Sequence, residues 1–404
     1  MSDSATIEQT QKTSTAGIPQ GMPIQRINLG VLVIQASPFC NINCDYCYLP
    51  NRTSTVRMDF DVLRNVMQKV ADSGIAQHQF EILWHAGEPL AVPLKWYEEA
   101  FEIINSYEKL QGKISHTIQT NGTLINDAWC EFFKKHKVNI GVSIDGPESI
   151  HDAHRVNRKG EGSFKKSMAG ARKLKEHGIG FGVVSVISAK SLEHPDEIFN
   201  FFLDEEIYGV GFNIEEVEGV NADSSLGIGA EQDKKVNHFL KRVYELNKEK
   251  GFPLSIREFE LARAKIFDPV NGGGSGNVYY NLETNPLSMI SVDCYGNFST
   301  YSPELLGQAT EKYGTFTFGN LNTGSVFDAT QNEAFQKVDA DIRAGNKKCS
   351  ETCEFYEFCD GASPSNKYYE NGTFDSAETM HCRHMIQAPL KIVLEDVEQG
   401  MGLA

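Results

Sequence analysis

Ser37-Pro-Phe-Cys40-Asn-Ile-Asn-Cys44-Asp-Tyr46-Cys47-Tyr48 follows directly on an apolar run at 31–36. Three cysteines spaced Cys-x3-Cys-x2-Cys on one tight loop can hold three irons of a cubane cluster. Such clusters normally take four cysteine ligands, so a missing fourth leaves one iron open for a substrate or cofactor. Zinc sites instead pair their cysteines as Cys-x2-Cys and add a His or a fourth Cys. Outward from this loop, short apolar runs alternate with amphipathic stretches. Strands are expected at 31–36, 80–85, 115–119, 138–144, 181–187 and 210–214. Helices are expected to start near Asp59, Pro93, Asn126, Ser163 and Pro195, with Asp59, Asn126 and Ser163 as N-caps and the prolines in first turns. This alternation predicts an α/β fold with a parallel sheet and right-handed crossovers. An open six-fold barrel and a doubly wound sheet both fit, and either places its site at the C-terminal strand ends.

The rest of the composition narrows the class. The 404 residues are 40% hydrophobic and 23% charged, which rules out disorder over most of the chain. A formal net charge of −16 argues against a nucleic-acid partner. No apolar run reaches the roughly 18 residues of a membrane span. The N-terminus has neither a basic start nor an apolar stretch, so a cytoplasmic location is expected. Residues 1–26 read as a flexible tail, 27–250 as the α/β unit, 251–285 as a linker and 286–404 as a small loop-rich domain. Asn271-Gly-Gly-Gly-Ser-Gly-Asn277 lacks the Lys-Ser/Thr of a phosphate loop and reads as a flexible connector.

Nine cysteines without a secretion signal point to metal rather than to disulfides. Besides the first three, Cys349-x3-Cys353-x5-Cys359 is followed after 22 residues by Cys382. Four cysteines can ligate one iron–sulfur cluster or one zinc ion, and spacing alone leaves both open. Cys130 falls on an expected helix and reads as a buried small hydrophobe. Cys294 stands alone, which favours a structural role.

The first cysteine motif, with Tyr46 before its third cysteine, resembles the signature of the radical S-adenosylmethionine (radical SAM) superfamily across roughly 30–216. That resemblance implies a partial (β/α)6 TIM-like barrel, a [4Fe-4S] cluster on Cys40, Cys44 and Cys47, and bound S-adenosylmethionine. Ala86-Gly87-Glu88-Pro89 is similar to the family's Gly-Gly-Glu-Pro segment, which binds the cofactor's methionine amino group. Ala86 replaces the first glycine, a small residue expected still to permit close backbone approach. Ser143-Ile144-Asp145-Gly146 is similar to a ribose-contacting segment, and Arg155 to an arginine near the cofactor carboxylate. The two histidines beside it, His151 and His154, read as ordinary loop residues. The C-terminal cysteines resemble a SPASM domain, which makes iron–sulfur the expected metal. That family commonly carries two auxiliary clusters. Here Tyr301 and Ser363 stand where first-site cysteines are expected, so one auxiliary [4Fe-4S] cluster is implied, on Cys349, Cys353, Cys359 and Cys382.

Phe39-Cys-Asn-Ile-Asn-Cys-Asp-Tyr-Cys-Tyr-Leu-Pro50, Trp84-His-Ala-Gly-Glu-Pro-Leu90, Phe298-Ser-Thr-Tyr-Ser-Pro-Glu-Leu305 and Pro364-Ser-Asn-Lys-Tyr368 together resemble the cyclophane-forming peptide maturases of the GrrM/OscB type. This implies a radical that removes hydrogen from a β-carbon of a ribosomal precursor peptide. That carbon then bonds to an aromatic ring two residues upstream. A reductant such as a flavodoxin or ferredoxin is implied as partner. The resemblance leaves thioether formation, epimerisation and sulfatase maturation as alternatives, and the missing first-site ligands argue against the last. An iron–sulfur electron carrier and a zinc-bound interaction protein explain the cofactor-like motifs poorly. The proton released on re-aromatisation needs a base, for which Asp145 and Glu258 are candidates at or after strand ends. The roughly 27 residues before the first strand are too few for the winged-helix recognition domain of many peptide-modifying relatives. Leader recognition is therefore expected to use the barrel, residues 217–285 or another protein.

Overall fold

A computed structural model describes residues 27–227, 229–267 and 281–402. The expected tail at 1–26 and the 271–277 connector lie outside the described residues. The first half alternates as the sequence reading expects: β1 (Val31–Ile34), α1 (Phe60–Ser73), β2 (Phe80–Trp84), α2 (Leu94–Asn105), β3 (Ile114–Thr120), α3 (Asp127–His136), β4 (Asn139–Ser143), α4 (Glu148–His154), α5 (Phe164–Glu176), β5 (Phe181–Ile187), α6 (Pro195–Asp204) and β6 (Gly209–Ile214). Strands β1 to β6 lie side by side in chain order, every pair parallel. A doubly wound sheet would reverse its order at a switch point. No reversal occurs within this run, so the architecture is a partial barrel.

Local chemistry starts the helices. The Asp59 side chain accepts from the Asp61 amide, and Asn126 accepts from Trp129 N. Each satisfies an amide that the first helical turn leaves unpaired. Ser163 departs from expectation. Its hydroxyl makes no cap and instead donates to Arg155 O at 2.8 Å, while Asp152 Oδ1 accepts from Phe164 N. Ser163 is thereby drawn into the site loop. Helices α1 and α2 bury one face against the sheet around Trp84. That indole is fully enclosed and meets Trp96 and Tyr97 edge-on, with centroids 5.9 and 5.1 Å away.

The remaining elements are α7 (Ala230–Glu249), β7 (Ser255–Ile256), α8 (Arg257–Phe267), β8 (Met289–Val292), β9 (Asn297–Thr300), β10 (Ala309–Thr310), β11 (Gly314–Thr315), β12 (Gly319–Asn320), α9 (Glu333–Thr352), α10 (Tyr356–Cys359), α11 (Pro364–Asn371) and α12 (Ala388–Met401). The sheet continues where the βα rhythm stops. β7 joins β6, β8 pairs parallel with β1, and β9 and β12 extend that edge antiparallel. The C-terminal part is also more helical than its cysteine-punctuated sequence suggests, since α9 runs 20 residues and α12 runs 14. Helix α12 packs on α7 and α8, which ties the cysteine-bearing part to the barrel wall. Among the described residues no helix is long and apolar enough to cross a membrane.

Candidate active site and second cysteine cluster

Loops at the C-terminal strand ends enclose a cavity of about 380 Å³. Cys40, Cys44 and Cys47 line it, together with Tyr46, Gly87, Glu88, Ser143 and Arg155. Backbone contacts stitch the cysteine loop in place. Glu88 N donates to Phe39 O at 2.7 Å, Asn43 N to Val156 O at 2.6 Å, and Arg158 reaches Cys40 O with two nitrogens at 3.0 and 2.8 Å. Gly87 sits at φ +69°, and a Cβ there would lie 2.5 Å from Ser37 O and 2.7 Å from Phe39 O. Only glycine fits.

Two N–H donors approach the thiols: Asn121 Nδ2 lies 3.9 Å from Cys40 Sγ, and Arg155 Nη1 lies 4.0 Å from Cys44 Sγ. Burial, then the charge of Glu88, pushes the Cys40 thiol up to about 11. Burial pushes Cys44 to about 12 against the pull of Arg155. Bare thiols so placed keep their protons, and a metal cluster displaces them. The donor set, with N–H groups aimed at sulfur, fits an iron–sulfur cluster held by three cysteines.

Glu88 is fully engaged. Its Oε1 accepts from Leu90 N at 2.9 Å and Thr120 Oγ1 at 2.6 Å, and its Oε2 from Asn121 N at 2.8 Å. It therefore fastens the β2 loop to the end of β3. Ser143 Oγ accepts from Gln119 Nε2 at 3.1 Å. Ala86 does not line this cavity but a neighbouring one of about 390 Å³, shared with His85, Tyr48 and Cys294. Its φ is +69°, so the expected tolerance of alanine comes at a backbone cost. The left-handed conformation costs an L-residue roughly 1–2 kcal/mol. Ala86→Gly is expected to stabilise the protein by about 1 kcal/mol, read as a raised midpoint in chemical denaturation.

Arg155 and Asp145 form a buried pair, 8% and 1% exposed. Arg155 Nε and Nη2 donate to the two carboxylate oxygens at 2.9 and 3.0 Å, and Tyr46 Oη and Val186 N also donate to that carboxylate. Burial alone would raise the Asp145 carboxyl, but Arg155 and Tyr46 hold it below its ordinary value. The guanidinium expected on the cofactor carboxylate thus serves a protein carboxylate and reaches the cavity through Nη1. Asp145 stands behind the wall with both oxygens taken, which leaves it no lone site for a substrate proton. Glu258 lies outside the cavity as well, accepting from Phe212 N at 3.0 Å and Arg257 Nε at 2.7 Å. His151 is enclosed, with Nε2 at 2.9 Å from Ser163 Oγ, and burial pushes it down to about 4. His154 pairs with Asp45 at 3.0 Å.

The far wall of the cavity is acidic, and sequence reading missed it. Glu215, Glu216 and Glu218 follow β6, and Glu304 follows β9. Glu216 is paired with His381 at 2.6 Å, and Asn366 Nδ2 donates to Glu216 at 2.8 Å and Glu218 at 3.2 Å. Three carboxylates within four residues after a strand end were the available signal for the first group. Nothing local marked Glu304, because its approach depends on β9 joining the sheet.

The second cysteine set frames a hollow of about 270 Å³ lined by Cys349, Cys353, Cys359 and Cys382. Cys349 and the α9 C-cap Cys353 stand one helical turn apart, which accounts for their three-residue spacing. Cys382 opens a wide π-type turn of six residues. Among the described residues no three His, Cys, Asp or Glu side chains meet closely enough to hold a single ion. A hollow between four thiols fits a polynuclear cluster. Lys367, buried, places Nζ 3.3 Å from Cys349 Sγ, and Gln387 Nε2 lies 3.7 Å from Cys382 Sγ. Cys130 is buried in α3. Ser363 Oγ and Ser302 Oγ both donate to Glu283 Oε2, at 2.6 and 2.9 Å, and Tyr301 Oη donates to Asp339 at 2.7 Å. The positions expected to carry first-site cysteines are committed to hydrogen bonds instead.

Residues 34–202 match the family model described as the radical SAM superfamily. An uncharacterized protein of Synechocystis sp., sll1766, is 40% identical over 93% of both chains. A serine-type anaerobic sulfatase-maturating enzyme of Bacteroides thetaiotaomicron is 35% identical over 46% of this chain and 45% of its own. Among solved structures, native anSMEcpe with bound AdoMet and Cp18Cys peptide superposes with a TM-score of 0.75 at 20% identity, covering 92% of this chain and 98% of that one.

Proposed function

The chain belongs to the radical SAM superfamily, and from that premise we propose that this enzyme oxidises a ribosomally made peptide, joining an aromatic ring to the β-carbon of the residue two positions on. Membership implies a [4Fe-4S] cluster and S-adenosylmethionine, which together supply a carbon radical able to remove hydrogen from an unactivated C–H bond. Cys40, Cys44 and Cys47 hold that cluster. Gly87 and Ser143 bound the space for the cofactor, and Tyr46, Asp145 and Arg155 form the wall behind it. Ala86 shapes the β2 loop, and Glu88 fixes its position. Cys349, Cys353, Cys359 and Cys382 hold one auxiliary [4Fe-4S] cluster, the acceptor for the second electron.

The observation that carries this reading is a row of neighbouring cavities that share lining residues, with one thiol set at each end. Asn213 and Arg257 line both the main cavity and a second one of about 330 Å³, which reaches Cys359. An extended peptide bound along that line would present one residue to the cofactor and keep the auxiliary cluster within reach. Peptide in the similar anSMEcpe structure supports this class of substrate. The cyclophane product rests on the four sequence phrases spanning 39–368. A second reading, oxidation of a sulfatase side chain, draws on identity to the sulfatase-maturating enzymes over about half the chain. The hydrogen-bonded Ser363 and Tyr301 weigh for a single auxiliary cluster in either case. We place the enzyme in the cytoplasm, served by a flavodoxin or ferredoxin as reductant.

Anaerobic co-expression with the short peptide encoded beside the gene, followed by tandem mass spectrometry, tests the proposal. The expected product has lost two hydrogens per site, with fragmentation blocked across three residues starting at an aromatic one. The same loss localised to a cysteine sulfur would replace the cyclophane with a thioether. An unchanged mass alongside 5′-deoxyadenosine formation would exclude the crosslink and leave epimerisation, which mass does not register.

A further inference from the structure

Each other carboxylate on the cavity wall already has hydrogen-bond donors. Glu88 has three, Glu215 has Ser225 N at 2.9 Å, and Glu216 and Glu218 share Asn366. Glu304 differs. It sits on the single helical turn Pro303–Leu305, lines the same cavity as Cys40, Cys44 and Cys47, and among the described residues receives no side-chain hydrogen bond. Its carboxylate accepts from its own backbone N–H, and its place is set by the turn that follows β9, with Ser302 beside it anchored to Glu283.

We propose that Glu304 is the base that takes the proton released when the substrate is oxidised. The inference rests on the peptide-oxidation reading above but not on which bond is made. In the balanced step the substrate loses one hydrogen atom to the radical supplied by the cofactor, itself generated with one electron from an external reductant. It then loses one electron to an iron–sulfur oxidant and one proton to a Glu304 oxygen. A ring C–H bond breaks as the new C–C bond becomes permanent, and two hydrogens leave in all. For a thioether, the corresponding S–H proton takes the same route.

Burial and the neighbouring Glu283 push the Glu304 carboxyl up to about 8. The groups facing it are Glu283 before β8, Glu216 and Glu218 after β6, His381 before Cys382, Tyr48 on the cysteine loop and Tyr369 on α11. A carboxyl poised near the working pH can both ionise and hold a proton, which is what a general base needs.

Glu304→Gln tests this in two ways. In the metal-free protein, pH-difference infrared spectra of the wild type are expected to show a protonated-carboxyl component titrating near 8 that the variant lacks, beside the separate signal of Glu218, which burial and Glu216 also push up. In the reconstituted enzyme with peptide, 5′-deoxyadenosine formation should stay within about threefold, while crosslinked product falls by about 100-fold. Glu304→Asp should restore part of the product yield with a displaced pH profile. Product at the wild-type rate with an unchanged pH profile in Glu304→Gln, or infrared difference spectra identical in wild type and variant, would overturn the assignment. A wild-type enzyme that leaves the peptide unmodified overturns the functional reading instead, and the infrared band still reports on Glu304 independently.

Discussion

Replacing Cys40, Cys44 and Cys47 together by alanine is expected to abolish reductive cleavage of S-adenosylmethionine and to remove about half of the protein's iron. The three thiols share one cavity, and no other cysteine lines it. The second set has its own hollow and should keep its cluster. Iron and sulfide analysis therefore separates the two sites, and 5′-deoxyadenosine measured with dithionite reads the chemistry. The fold should survive, because the loop is also held by Glu88 N on Phe39 O and by Arg158 on Cys40 O, contacts made by backbone atoms that alanine keeps. Cleavage at more than about a thousandth of the wild-type rate would refute the assignment of these cysteines. Complete loss of iron would mean that the second set cannot assemble alone.

Arg155→Met is expected to destabilise the protein by about 3–5 kcal/mol, the cost of leaving a buried charge without its partner. Asp145 is 1% exposed and carries the guanidinium on both oxygens. The effect should depend on pH with a definite sign. In the wild type the Asp145 carboxyl lies below its unfolded value of roughly 3.9. Its contribution is fully present above that value and fades only as pH falls through the lower folded one. Without Arg155, burial dominates and the carboxyl takes up a proton at higher pH. The deficit should then be largest near neutral pH and shrink toward pH values of about 5. Chemical denaturation across that range checks the sign. Asp145→Asn combined with Arg155→Met should cost clearly less than the sum of the two changes, since the pair acts as a unit. A deficit independent of pH would mean that Arg155 contributes packing rather than charge.

Much of the barrel was legible in the chain. Each expected strand from 31–36 to 210–214 forms, in order, because most are short apolar runs set off from helix starts that Asp59 and Asn126 cap and Pro195 opens. The cysteine loop and the Gly87-Glu88 segment were legible for a related reason: their chemistry depends on spacing along one loop. What stayed hidden depended on contacts between distant segments. Ala86 looked merely small, but docking of the β2 loop on Ser37–Phe39 forces it into left-handed backbone. Arg155 looked free for a cofactor, but Asp145, ten residues away, takes its fork.

The sequence by itself determined the class of chemistry, because three thiols on one loop and four in the C-terminal part are a local, countable donor set. It also determined a parallel sheet with right-handed crossovers, whereas the order of the strands, which separates a barrel from a doubly wound sheet, came from the structure. Only the tertiary structure decided which carboxylates face the reaction space. Glu216, Glu218 and Glu304 lie up to 88 positions apart in the numbering and meet on one wall only because β9 reaches the sheet through β8, beside β1. Long-range burial sets both their company and their affinity for protons, and neither property is written in the residues on either side of them.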